Sequence, residues 1–133
     1  MADSPSRVQR PLSPHLQIYR PLFTMVMSIV HRITGIGLYF GMVIFVWWLL
    51  AAASTVSAFD TFSAIAGSFI GMLILLGFTW ALLHHALGGV RHFIWDFIRG
   101  FGPNERILLA KLTLAGSIIL TIVVWAIGLG LKG

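Results

Sequence analysis

Three apolar runs, each long enough to cross a lipid bilayer and almost free of charge, leave this chain few options. From Ile33 to Ala53 there are 21 consecutive uncharged residues. At ~1.5 Å rise per residue such a helix just covers a ~30 Å hydrocarbon core. A second run stays uncharged from Phe62 to Val90, and a third from Leu112 to Leu131. Composition agrees: 58% of residues are apolar and 10% charged, against roughly 45–50% and 25% in soluble domains. That excludes an ordinary water-soluble fold. The expected architecture is an all-α membrane protein with three transmembrane helices, at about 23–53, 62–99 and 112–131, after a polar arm at 1–22. Pro103 is expected to stop the second helix.

Nine Lys and Arg against four acids give a net charge of +5. In a soluble chain that balance would suggest nucleic acid. Here the cations stand at the ends of apolar runs, so they set orientation and no nucleic-acid partner is expected. Arg7, Arg10 and Arg20 precede the first run, and Arg91, Arg99, Arg106 and Lys111 separate the second from the third. The first loop carries only Asp60. By the positive-inside rule the N-terminus and the 91–111 loop are cytoplasmic, and the first loop and C-terminus are on the far side. The arm, punctuated by Pro5, Pro11, Pro14 and Pro21, has the pattern of neither a signal peptide nor a transit peptide. It reads as a segment lying on the membrane or on a partner.

There is no cysteine, which excludes disulfides, thiolate metal ligands and covalently attached haem. The five histidines are then the main candidate ligands. Ionisable groups in or beside a span are costly and therefore informative. They form two clusters: Ser28, His31 and Arg32 on the first helix, and His84, His85, Arg91, His92 and Asp96 on the second. Measured from the first loop, His31 and His85 lie roughly 33 and 35 Å along their helices, so the clusters face each other at similar depth.

On the second helix His85, Gly88 or Gly89, and His92 share one face, with Ala81 a turn before them. Small residues above and below an imidazole leave a flat vacancy that a haem plane would need, and His is a usual axial ligand. Arg residues a turn or two away match the carboxylates of haem propionates. The same histidines also suit a purely interfacial role, with Arg91 and His92 snorkelling to headgroups. His84 points about 100° away from His85, toward another helix or a headgroup. On the first helix, Ser28, Arg32 and Gly35 share a face that could hydrogen-bond a quinone head group. An ordinary basic flank with Ser28 as helix cap is the alternative. Gly37-x-x-x-Gly41 and Gly67-x-x-x-Gly71 have a spacing that lets helices approach closely.

Three segments carry a family resemblance: Arg10-Pro-Leu-Ser-Pro-His-Leu-Gln-Ile-Tyr19, Ser28-Ile-Val-His-Arg-Ile-Thr-Gly35 and His85-Ala-Leu-Gly-Gly-Val-Arg-His-Phe-Ile-Trp-Asp96. Together they closely resemble the cytochrome b membrane anchor of succinate dehydrogenase, respiratory complex II, over essentially the whole chain. The resemblance implies a subunit that performs none of the succinate chemistry but anchors the complex, as part of a heteromeric helix bundle with a small second anchor subunit. It implies haem b with His85 as one axial ligand and the second anchor supplying the other. His31, Arg32, Arg91 and His92 match the haem propionate region, and Ser28 with Arg32 the quinone-binding pair (ubiquinone or another quinone). Asp96 matches the periphery of the quinone site at the end of the second helix, which lies under the iron–sulfur subunit; the flavoprotein subunit is a further implied partner. The polar arm matches a segment that packs on the iron–sulfur subunit. A bacterial inner membrane, with the C-terminus periplasmic, is the expected location.

Overall fold

The computed structural model describes residues 18–132; most of the 1–22 arm therefore lies outside the described residues. It contains four helices: α1 (Phe23–Ala53), α2 (Val56–Ala66), α3 (Phe69–Asp96) and α4 (Pro103–Lys132). Three of them, α1, α3 and α4, are long and apolar enough to span a membrane. The protein is an all-α, multi-pass membrane protein.

What lies inside and outside the bundle shows which solvent it was built for. Among the described residues the buried side chains include five apolar ones (Met27, Ala51, Phe62, Ala81, Ala110) and six polar or charged ones (Thr34, His84, Arg91, Thr113, Ser117, Thr121). Ile, Leu, Val and Phe cover the outside instead. In water this order would be inverted. In lipid the large apolar residues face the acyl chains while small and hydroxyl residues let the helices approach.

The expected second span, 62–99, is divided in the structure. Thr55 Oγ1 accepts the Ala58 N–H at 3.1 Å and starts α2, and Ser68 Oγ accepts the Gly71 N–H at 3.1 Å and starts α3. These hydroxyl caps satisfy N–H groups that a helix start leaves unpaired, so α2 takes up most of the expected first loop and the chain turns at Gly67–Ser68, where the apolar run alone reads as continuous. Gly67 and Gly71 belong to this turn rather than to a helix crossing. A Cβ on Gly71 would meet the carbonyls of Ile65 and Ala66. On α1, Gly41 does lie at a crossing, beneath the ring of Phe78, while Gly37 has open space beside it.

The far end of α3 departs from expectation too. The helix ends at Asp96, and Ile98 (φ 56°) and Gly100 (φ 78°) reverse the chain in the left-handed region. Pro103 does not stop α3; it opens α4 as its first residue. Proline suits that position because its missing N–H would be unpaired there anyway. Glu105 Oε2 accepts the Gly102 N–H at 3.1 Å and completes the start. Thus α4 begins well before the apolar run at Leu112. Its polar first turns bring Arg106 back toward α1 and α3.

α3 is central, packed on α1 along one side and on α4 along the other. The α4 side is lined by Ala110, Thr113, Ser117 and Thr121, all buried. The three hydroxyls each donate to a carbonyl of their own helix at 2.7–2.8 Å, leaving a stripe that is small and already satisfied.

Candidate functional site

Of the residues singled out in the sequence, His31, His85 and His92 come together where α1 meets α3. The rings of His31 and His85 stack in parallel, 4.0 Å between centroids and 5° between planes. His92 lies 5.5 Å from His31, tilted by 49°. Two glycines make the stack possible, one on each helix. A Cβ on Gly35 would stand 3.0 Å from His85 Cε1, and one on Gly88 would collide with the His31 ring. Each helix thus offers a glycine notch to the other's imidazole. The vacancy expected beside His85 at Gly88 is therefore filled by His31; open space remains at Gly89, where a Cβ would meet nothing within 4 Å.

Hydrogen bonding defines the tautomer of His85. Its Nδ1 lies 3.1 Å from the His31 backbone oxygen. A carbonyl only accepts, so Nδ1 carries a proton, and in the neutral imidazole Nε2 is the nitrogen that keeps the lone pair. Thr34, buried beside them, donates to the same carbonyl at 2.8 Å and stands 3.4 Å from His85 Nδ1. An imidazole whose Nδ1–H is tied to a carbonyl has a fixed ring orientation and a free Nε2, the arrangement typical of metal-ligating histidines.

His84, the adjacent residue, is spent differently. It is 1% exposed, faces α4 and lies 3.2 Å from Ser117 Oγ through Nδ1. Because Ser117 already donates its one hydrogen to the Leu114 carbonyl, its oxygen accepts from His84. Of the two directions the sequence left open for His84, another helix is the one realised.

Toward the end of the bundle, α1, α3 and α4 enclose a cavity of about 230 Å³ lined by Thr24, Ser28, His31, Arg91, His92, Trp95 and Arg106. Two buried polar atoms here, His31 Nδ1 and Arg91 Nε, have no hydrogen-bond partner among the described residues. Ser28, partly buried, lies inside α1 and is not its cap; Leu22 holds the cap position without a side-chain bond. Arg32 is exposed and does not line this cavity, so the structure does not bring the Ser28–Arg32 pair into one pocket. Asp96 is exposed at the last residue of α3 and is also outside it.

Thr34, Trp95 and Arg106 were not singled out from the sequence. Thr34 lies within the Ser28–Gly35 motif, and Trp95 one helical turn after Arg91, so both carried a local signal. Arg106 carried none, because its place depends on where α4 begins.

A three-span helical membrane subunit, with a stacked histidine pair between two spans and a cation-lined cavity beside it, is the class that this fold and site define. Residues 6–124 match the family of succinate dehydrogenase/fumarate reductase transmembrane subunits, and the chain belongs to that family. It is 40% identical over 122 residues to the succinate dehydrogenase cytochrome b556 subunit of Paracoccus denitrificans, covering 92% of this chain and 93% of that protein. The cytochrome b556 subunit of Rickettsia typhi is 36% identical over 118 residues, 88% of this chain and 91% of that protein. The mitochondrial cytochrome b560 subunit of Sus scrofa is 34% identical over 120 residues, 86% of this chain and 66% of that protein.

Proposed function

We propose that this chain is the haem-binding membrane anchor of a succinate:quinone oxidoreductase and forms part of its quinone-reduction site. The observation that carries the reading is His85, held by Nδ1 against the His31 carbonyl with Nε2 free, beside a cavity rich in cations.

The residues present fit haem b. His85 Nε2 would hold the iron, the open side of α3 at Gly89 leaves room, and Arg91 Nε and His31 Nδ1, unpartnered among the described residues, would suit propionate oxygens. When bound, the haem supplies a one-electron centre beside the quinone pocket. The chain's own part is to fix the ligand tautomer through the His31 carbonyl and Thr34, and to offset the propionate charge. Iron held between His31 and His85 of the same chain is disfavoured by the geometry. Lone pairs lie in the ring planes, and the planes are stacked face to face, so the two nitrogens cannot point at one metal from opposite sides. The second ligand would come from a small second anchor subunit.

Ser28, at the cavity, would donate a hydrogen bond to a quinone carbonyl. Arg32, exposed on the same stretch of α1, would stabilise negative charge developing on a quinone oxygen as it is reduced. Its side chain would close on the head group only when quinone or a partner subunit is present. Succinate chemistry and iron–sulfur clusters belong to the flavoprotein and iron–sulfur subunits, which would dock at this end. Among the described residues, the cations Arg20, Arg32, Arg91, Arg99, Arg106 and Lys111 outnumber Asp96 and Glu105 at this end, while the other end carries Asp60 and Lys132. That asymmetry supports a cytoplasmic histidine end in a bacterial inner membrane.

A reduced-minus-oxidised visible spectrum of the chain alone and of the co-expressed complex tests the haem. A b-type band only in the complex is expected; a band from the lone chain, or none in either, would contradict the shared-haem reading. For the quinone, Arg32→Leu is expected to impair quinone reduction more than electron transfer from succinate to a water-soluble dye. Equal losses would assign Arg32 to docking instead.

A further inference from the structure

Arg91 is 5% exposed and its Nε has no partner. No acidic residue lines the cavity it shares with Arg106. Arginine does not shed its proton to escape burial, and a buried charge without a counter-ion is strongly unfavourable. Glu105, the acid next in sequence to Arg106, has its carboxylate on the Gly102 N–H at the start of α4. Among the described residues nothing supplies the missing negative charge, which leaves a ligand to bring it.

Trp95 is fixed on several sides. Its Nε1–H donates to the Gly100 carbonyl at 3.3 Å, Phe101 stacks at 6.2 Å and the His92 ring meets it edge-on at 5.0 Å. One face is left to Arg91, whose guanidinium carbon stands 5.1 Å from the ring centroid, a cation–π distance. The left-handed turn at Ile98 and Gly100 is what returns the Gly100 carbonyl to this indole.

We infer that Arg91, Arg106 and Trp95 form an oxyanion site completed from α4, with a carboxylate as its ligand, Arg106 as a second binding cation and Trp95 as the positioning residue for Arg91. A carboxylate has the planar pair of oxygens that guanidinium forks match. The inference rests on the haem reading above, which supplies that carboxylate as a propionate.

The test is the haem midpoint potential and haem content of the assembled complex. Arg106→Gln is expected to keep the haem but lower its potential, because a lost nearby cation disfavours the added electron. Arg106→Lys, retaining the charge without the fork, is expected in between. Trp95→Leu is expected to lower the potential and Trp95→Phe, which keeps an aromatic face, to restore it. An unchanged potential in Arg106→Gln overturns the site, and equal behaviour of Trp95→Leu and Trp95→Phe overturns the role of Trp95. An unchanged potential together with loss of a co-purifying anionic phospholipid would make the ligand a phosphate and overturn the carboxylate. Absence of haem from the unmodified complex would instead remove the underlying haem reading, an outcome distinct from all of these.

Discussion

The two sides of α3 carry neighbouring histidines with opposite fates. On the α4 side, His84 is sealed against Ser117 in an interface of small side chains whose hydroxyls are already bonded to their own backbone. On the α1 side, His85 is oriented just as firmly, by a carbonyl at 3.1 Å, yet its second nitrogen stays free, and the His31 ring stacked on it lines a cavity. Two imidazoles one residue apart differ less in chemistry than in what the facing helix offers. A hydroxyl on α4 closes one off, and a glycine notch on α1 admits the other without satisfying it. A buried polar group with its bonds made is structure; one left a free lone pair beside unpaired cations is a candidate for function.

Substitutions on the two faces are expected to separate these roles. The largest effect is expected at Gly35. A leucine there would occupy the space of the His85 ring, so Gly35→Leu should abolish the b-type spectrum of the complex; an intact spectrum would detach the notch from the ligand. Gly88→Val comes next, since its side chain would displace His31. Overpacking of this kind costs about 1–3 kcal/mol, seen as a lower Tm of the purified complex and a perturbed spectrum.

On the α4 face, Ser117→Ala leaves the buried His84 Nδ1 unpaired and should cost about 1 kcal/mol in stability, with the spectrum unchanged. A spectral shift there would mean that the α3–α4 interface helps to set the haem environment. The smallest effect is expected for Thr34→Val, which removes the weaker of the two contacts at His85 Nδ1 and leaves the His31 carbonyl to hold the tautomer. A loss of about 0.5 kcal/mol or less is expected by chemical denaturation.

Much of this was legible in the sequence because lipid imposes a simple code. Uncharged runs had to be helices, and the depth count that set His31 opposite His85 anticipated two rings now seen stacked. The helix ends were less legible. Ser68 caps a new helix inside what hydropathy shows as one run, because a hydroxyl's capping bond does not alter its apolar surroundings. Pro103 could stop one helix or start the next, and only the left-handed turn before it decides. That turn and the early start of α4 also bring Arg106 to the cavity, which is why a residue distant from both motifs escaped notice. Arg32 shows the converse: periodicity put it on the face of Ser28, but a long exposed side chain is not placed by periodicity.

The claim that His85, not its neighbour, is the haem ligand is tested most directly by reduced-minus-oxidised spectra of His85→Leu and His84→Leu in the co-expressed complex. The expected result is loss or gross alteration of the b-type band in His85→Leu and a largely intact band in His84→Leu. An intact band in the first with a lost band in the second would place the ligand on the α4 side and contradict the assignment.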